Sequence, residues 1–122
     1  MNTFKDGWTE EDMESAIERN QPDELLYVPI LVSMDPPDCV WAQDVCLRLS
    51  RHSNYIVRGN AILGFGYLAR TCRALDERQV KPLIESALRD GDEYVRGQAD
   101  SAASDVVQYL GWQVDGYHLD EA

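Results

Sequence analysis

Ser101, Ser104, Asp105 and Gln108 follow the i, i+3, i+4, i+7 spacing that sets four side chains on one helix face. Glu93 and Asp100 add carboxylates to the same segment, and Tyr109 and Trp112 lie just beyond. Thirty-eight residues earlier, Tyr67 and Arg70 hold the positions of Asp105 and Gln108. Acids interleaved with aromatics suit a surface that binds a basic protein: aromatic side chains anchor the contact while charge steers the encounter. The same acids also read as a hydrated face, with Trp112 closing the core.

Bond-making chemistry finds less to work with. An enzyme needs a converging acid, base or nucleophile. Neither His52, in a polar bend, nor His118, near the end, has a Cys, Ser or Asp partner at a spacing that local structure would close. Gly-x-Gly-x-x-Gly, Walker and His-Glu-x-x-His motifs are absent from the sequence. Cys39, Cys46 and Cys72 form an odd set with no Cys-x-x-Cys pair, so neither a disulfide framework nor a zinc site is expected. Cys46 falls on an apolar helical stripe and reads as a small core residue. The expectation is a non-enzyme with no cofactor and no metal.

The 122 residues suit one domain with its own core, and a hydrophobic fraction of 44% is ordinary for one. No stretch approaches the roughly 20 apolar residues of a membrane span. The N-terminus, Met1-Asn2-Thr3-Phe4-Lys5-Asp6, lacks the apolar core of a signal peptide, so a cytoplasmic location is expected. A net charge of −11 argues against nucleic acid, whose phosphates call for Lys and Arg. The charge is uneven: residues 1–35 sum to −7, residues 36–89 to +3 and residues 90–122 to −7.

Helices must position these groups. Thr9 followed by Glu10, Glu11 and Asp12 opens a first helix that Asn20-Gln21-Pro22 stops. A second, about Pro22 to Met34, is apolar nearly all round, with a kink expected at Pro29. Asp38 starts a third, through about Ser50, with Trp41, Ala42, Val45, Cys46 and Leu49 inward. The fourth runs from about Asn54 to Cys72, and its Gly64 and Gly66 invite close approach of a neighbour. Asp76 caps the fifth, which carries Val80, Leu83, Ile84, Ala87 and Leu88 inward and Pro82 inside. The sixth spans about Asp92 to Leu110 and ends at Gly111. A domain over 1–111 and a loosely ordered tail over 112–122 follow.

Ile56-Val57-Arg58-Gly59-Asn60-Ala61 recurs as Tyr94-Val95-Arg96-Gly97-Gln98-Ala99, each copy after a polar bend. A two-helix unit repeated near 40 residues suggests a stacked α-solenoid. The order apolar helix, Asn/Asp turn, Val-Arg-x-x-Ala resembles the HEAT-repeat family over residues 37–111. The fold expected is all-α, a short α-solenoid of three helix pairs. Val57 and Val95 become equivalent core positions, and Asp92 lies one turn before Arg96 on the same face. The resemblance implies that Arg58 and Arg96 bridge to acidic or polar turns as a structural ladder.

A small acidic chain of this architecture looks like the immunity proteins of bacterial contact-dependent inhibition and related polymorphic-toxin systems. The function expected is a protein-binding module, monomeric when unbound, that neutralises a basic, nuclease-type toxin domain through Glu93, Asp100, Ser104, Asp105, Gln108, Tyr67 and Trp112. The competing readings are a HEAT-like adaptor or assembly factor, and an enzyme or small-molecule sensor with a pocket around Tyr67 and Trp112.

Overall fold

Side-chain caps decide where the chain turns helical. A computed structural model describes residues 7–117 and divides them into seven helical segments, with no strand among the described residues. The segments are α1 (Glu10–Arg19), α2 (Pro22–Leu25), α3 (Val28–Met34), α4 (Cys39–Leu49), α5 (Tyr55–Thr71), α6 (Glu77–Ala87) and α7 (Glu93–Leu110). At α1, Thr9 Oγ1 accepts the Asp12 N–H at 3.1 Å and the Asp12 carboxylate accepts the Thr9 N–H at 2.8 Å. Asp38, Asn54, Asp76 and Asp92 cap α4, α5, α6 and α7 through their side-chain oxygens. Each such cap is worth about 1 kcal/mol. Gly111 closes α7 at φ 69°, a left-handed backbone that glycine takes without strain.

The expected second helix divides in two. Pro29 has no N–H and its ring blocks the preceding turn, so the chain leaves α2 after Leu25 and restarts with Pro29 in the first turn of α3, where a missing donor costs nothing. Pro82 behaves differently. It stays inside α6 on the solvent side, where water can serve the Arg78 carbonyl it frees.

α5 is the hub. It packs most extensively on α7 and α3, and also meets α4 and α6; α3 meets α4, and α6 meets α7. Its glycines make this possible. A Cβ on Gly64 would stand 2.6 Å from the Cys46 sulfur, and one on Gly66 would stand 3.0 Å from the Ala102 Cα. Val57 and Val95 are both fully buried, as are Phe65, Leu68, Ile84 and Val106. Each large side chain so buried contributes about 1.5–3 kcal/mol.

Two expectations about the ends of elements are corrected. Cys39 and Cys72 form a disulfide, with Cα atoms 6.2 Å apart across 33 residues. The antiparallel pair brings the start of α4 beside the end of α5, a proximity that cysteine spacing does not encode. Beyond Gly111, Trp112 and Val114 are buried against the core and Tyr117 packs on it, while Gln113, Asp115 and Gly116 face solvent. Asp115 N–H donates to Glu85 at 2.8 Å, tying this segment to α6. The rest of the expected tail, including His118, lies outside the described residues.

Candidate functional site

Arg58 stands in the first turn of α5 and Arg96 in the first turn of α7, and the α5 copy closes a rung. Arg58 donates to Asp90 through Nε at 3.0 Å and Nη2 at 3.1 Å, and through Nη1 to the His52 and Ser53 carbonyls at 3.1 and 3.3 Å. Asp90 stands in the bend between α6 and α7, so the guanidinium ties the α4–α5 pair to the next one. The Arg58 hydrogen bond, with help from the Asp92 N–H, holds the Asp90 carboxyl below its ordinary range. Arg96 repeats only the local half: its Nη1 donates to the Asp90 carbonyl at 2.8 Å, as Arg58 does to His52. Asp92, expected to face Arg96, instead caps α7 through the Tyr94 and Val95 N–H groups.

About 18 Å along α5, by helical rise, a second arginine–aspartate pair is built loosely. Gly66 leaves room for Asp105, whose carboxylate would lie 2.7 Å from any Cβ there. Arg70 Nε reaches Asp105 Oδ2 only at 3.5 Å, and neither group makes a hydrogen bond to another described residue. Burial raises the Asp105 carboxyl above its ordinary range, against the pull of Arg70. The Arg70 guanidinium lies over the Tyr67 ring at 4.9 Å, and that of Arg73 over the Tyr109 ring at 5.0 Å. Arg70 thus touches both Tyr67, on its own helix, and Asp105, on α7.

Not all of the expected face gathers there. Asp100, Ser101 and Gln108 are exposed, Ser104 is half-buried, and Glu93 is exposed at the opposite end of α7. Trp112 is 9% exposed and lines a different depression of about 530 Å³ with Lys81, Glu85, Val107, Val114 and Tyr117. Tyr67 does not line it. The register does not carry over at Asp100: its equivalent on α5, Ile62, is buried, while α7 turns a carboxylate to solvent.

A third group was not picked out from the sequence. Asn60, 2% exposed, donates to the Leu26 carbonyl at 2.6 Å and accepts from the Tyr94 hydroxyl at 2.6 Å and from Gln98 at 3.1 Å. Tyr94 stands edge-on to Tyr55 at 6.1 Å. Tyr27, next to Leu26, is 62% exposed, Tyr55 45% and Tyr94 39%. Asn60 and Gln98 occupy equivalent repeat positions, and a polar pair at matching core-side positions was the available signal.

The remaining titratable candidates hold structure. His52 Nδ1 accepts the Asn54 N–H at 3.0 Å, so the ring proton sits on Nε2 and is donated to Asn20 at 2.8 Å. Burial pushes the Cys46 thiol up to about 12, which keeps it an unreactive core residue. Glu14 takes two hydrogen bonds from Arg48, at 2.9 and 2.6 Å, and one from Trp41 at 2.8 Å, which lower its pKa to about 2 and fasten α1 to α4. No helix of the described residues is long and apolar enough to cross a membrane. Among those residues no cluster of three His, Cys, Asp or Glu has metal-binding geometry. Comparison with protein families, curated proteins and solved structures returns no match to this chain.

Proposed function

We propose that this chain is a non-catalytic protein-binding module of HEAT-like α-solenoid type, three helix pairs long. Its most concrete form is an immunity protein that neutralises a basic, nuclease-type toxin domain. The observation that carries the reading is the exposure of three tyrosines, Tyr27, Tyr55 and Tyr94, the last two edge-on at 6.1 Å, and of the acids Glu93 and Asp100 on the helix that carries Tyr94. Tyr94 is pinned by Asn60 and Gln98, so it offers contact area with little ordering cost on binding. Acids around rigid aromatics match a basic partner in both energy and approach. The contact pattern around α5, with the Arg58–Asp90 rung between pairs, supports the solenoid part.

The test is binding kinetics with the product of the adjacent gene at low and moderate salt. Glu93→Lys with Asp100→Lys is expected to slow association about tenfold or more and to weaken its salt dependence. The control is Glu10→Lys with Glu11→Lys, both exposed on α1; Glu14 is unsuitable because it binds Arg48 and Trp41. Equal losses in both double variants would remove the α7 assignment. The Cys39–Cys72 bond is at odds with a cytoplasmic site, because cytoplasmic thiols are kept reduced. Alkylation of free thiols at the moment of lysis, read by mass, decides the compartment.

A further inference from the structure

In a chain of net charge −11, the end of α5 gathers two cations that the fold leaves underused. Arg73 Nε donates to the backbone carbonyl of Arg70 at 3.3 Å, which draws the Arg73 side chain back to the last turn of α5. Each guanidinium lies on a tyrosine ring, Arg70 on Tyr67 and Arg73 on Tyr109. Stacking uses the flat face of a guanidinium and leaves its N–H edge for another acceptor. Arg58, by contrast, spends that edge on four bonds. Among the described residues Arg70 has only Asp105, at 3.5 Å, and Arg73 only the carbonyl.

The patch is also held in place. Arg73 has φ 57°, a left-handed backbone that a side-chain-bearing residue adopts only where its surroundings enforce it. The neighbouring Cys72 is bonded to Cys39 on α4, and its N–H donates to the Leu68 carbonyl at 2.8 Å. The C-terminal end of a helix carries partial negative charge and repels anions. Here the carbonyls of Tyr67, Leu68 and Arg70 already accept from Thr71, Cys72 and Arg73, which reduces that repulsion.

We infer that Arg70 and Arg73, backed by Tyr67 and Tyr109, form a recognition site for an oxyanion, a carboxylate or phosphate group offered in the plane of the guanidinium edges. A forked N–H pair matches such a group in geometry as well as charge. The inference is independent of the proposed acidic face, since this patch recognises the opposite charge.

The experiment is a nuclear magnetic resonance titration of the full-length, oxidised protein, following the arginine Nε–H and tyrosine ring signals. The probes are inorganic phosphate, acetate and a blocked Glu-Asp-Glu peptide, with sodium chloride at matched ionic strength as reference. Saturable shifts confined to Arg70, Arg73, Tyr67 and Tyr109 are expected, with at least tenfold weaker binding in Arg73→Gln and in Arg70→Gln. Arg96→Gln, on the other side of the repeat, is expected to bind as the parent does. Saturation by phosphate or acetate assigns a free anion, and saturation by the peptide alone assigns a carboxylate on a partner. Shifts that track chloride, or that persist in the Arg70→Gln, Arg73→Gln double variant, would overturn the site.

Discussion

α5 carries two arginines that meet aspartates near or on α7, and the two pairs are built for different ends. Arg58 and Asp90 are about one-fifth exposed, doubly hydrogen-bonded to each other and supported by two carbonyls and the Asp92 N–H. Arg70 and Asp105 approach to 3.5 Å without a hydrogen bond, and the arginine is 43% exposed. The aspartates respond in opposite directions: the Asp90 carboxyl is lowered by its donors, while that of Asp105 is raised because burial outweighs the pull of Arg70. The same two residue types thus make a structural rung when their hydrogen bonds are complete. Where bonds are missing, they leave groups able to meet something else.

The largest effect should come from the clip beside the open pair. Cys39→Ser removes a bond that closes 33 residues of chain, and should destabilise the fold by about 2–4 kcal/mol. Urea unfolding of the oxidised parent against the variant measures it. A midpoint unchanged by the variant or by reduction would show that α4 and α5 hold the Arg73 end without the bond.

Next is the comparison itself. Arg58→Ala strands a partly buried Asp90 and should cost about 1–3 kcal/mol, the range for a lost charged hydrogen bond. Arg70→Ala should cost about 0–1 kcal/mol, as for an exposed ion pair. Equal losses in urea midpoint would mean the pairs are not distinct.

The smallest effect is in pH dependence, and its sign differs between the pairs. The folded pKa of Asp90 is depressed, so its contribution is present above the ordinary value of 3.8 and is lost as pH falls through the folded value. The folded pKa of Asp105 is raised, so folding is favoured while its carboxyl stays protonated, and stability declines as pH rises from 3.8 through the folded value. Asp105→Asn should therefore raise the urea midpoint near neutral pH and leave it unchanged at about pH 3, where the carboxyl is neutral in both states. A loss of midpoint near neutral pH would make Asp105–Arg70 a stabilising rung like the other.

Much of the scaffold was legible because it rests on contacts between residues a few positions apart. Thr9, Asp38, Asn54, Asp76 and Asp92 each bond an N–H two or three residues on, so their residue types alone mark helix starts. Periodic spacing likewise placed Val57, Val95, Cys46 and Ile84 inside. Pro29 was readable as a disturbance, yet whether the chain kinks or breaks depends on how α2 and α3 pack.

What the tertiary structure alone decided are contacts between residues distant along the chain. Cys39 meets Cys72, Asn60 gathers Leu26, Tyr94 and Gln98, and Trp112 turns into the core instead of joining Tyr67. Register put Tyr67 and Asp105 at equivalent repeat positions, but the distance from Asp105 to Arg70 comes from how closely Gly66 lets α7 approach. A carboxylate's sequence neighbours cannot say whether its cation stands at 3.0 or 3.5 Å, and that half-ångström separates the rung from the open pair. Spacing along a helix determines which side chains share a face; only the packing of one helix on another determines which of them are left unpaired.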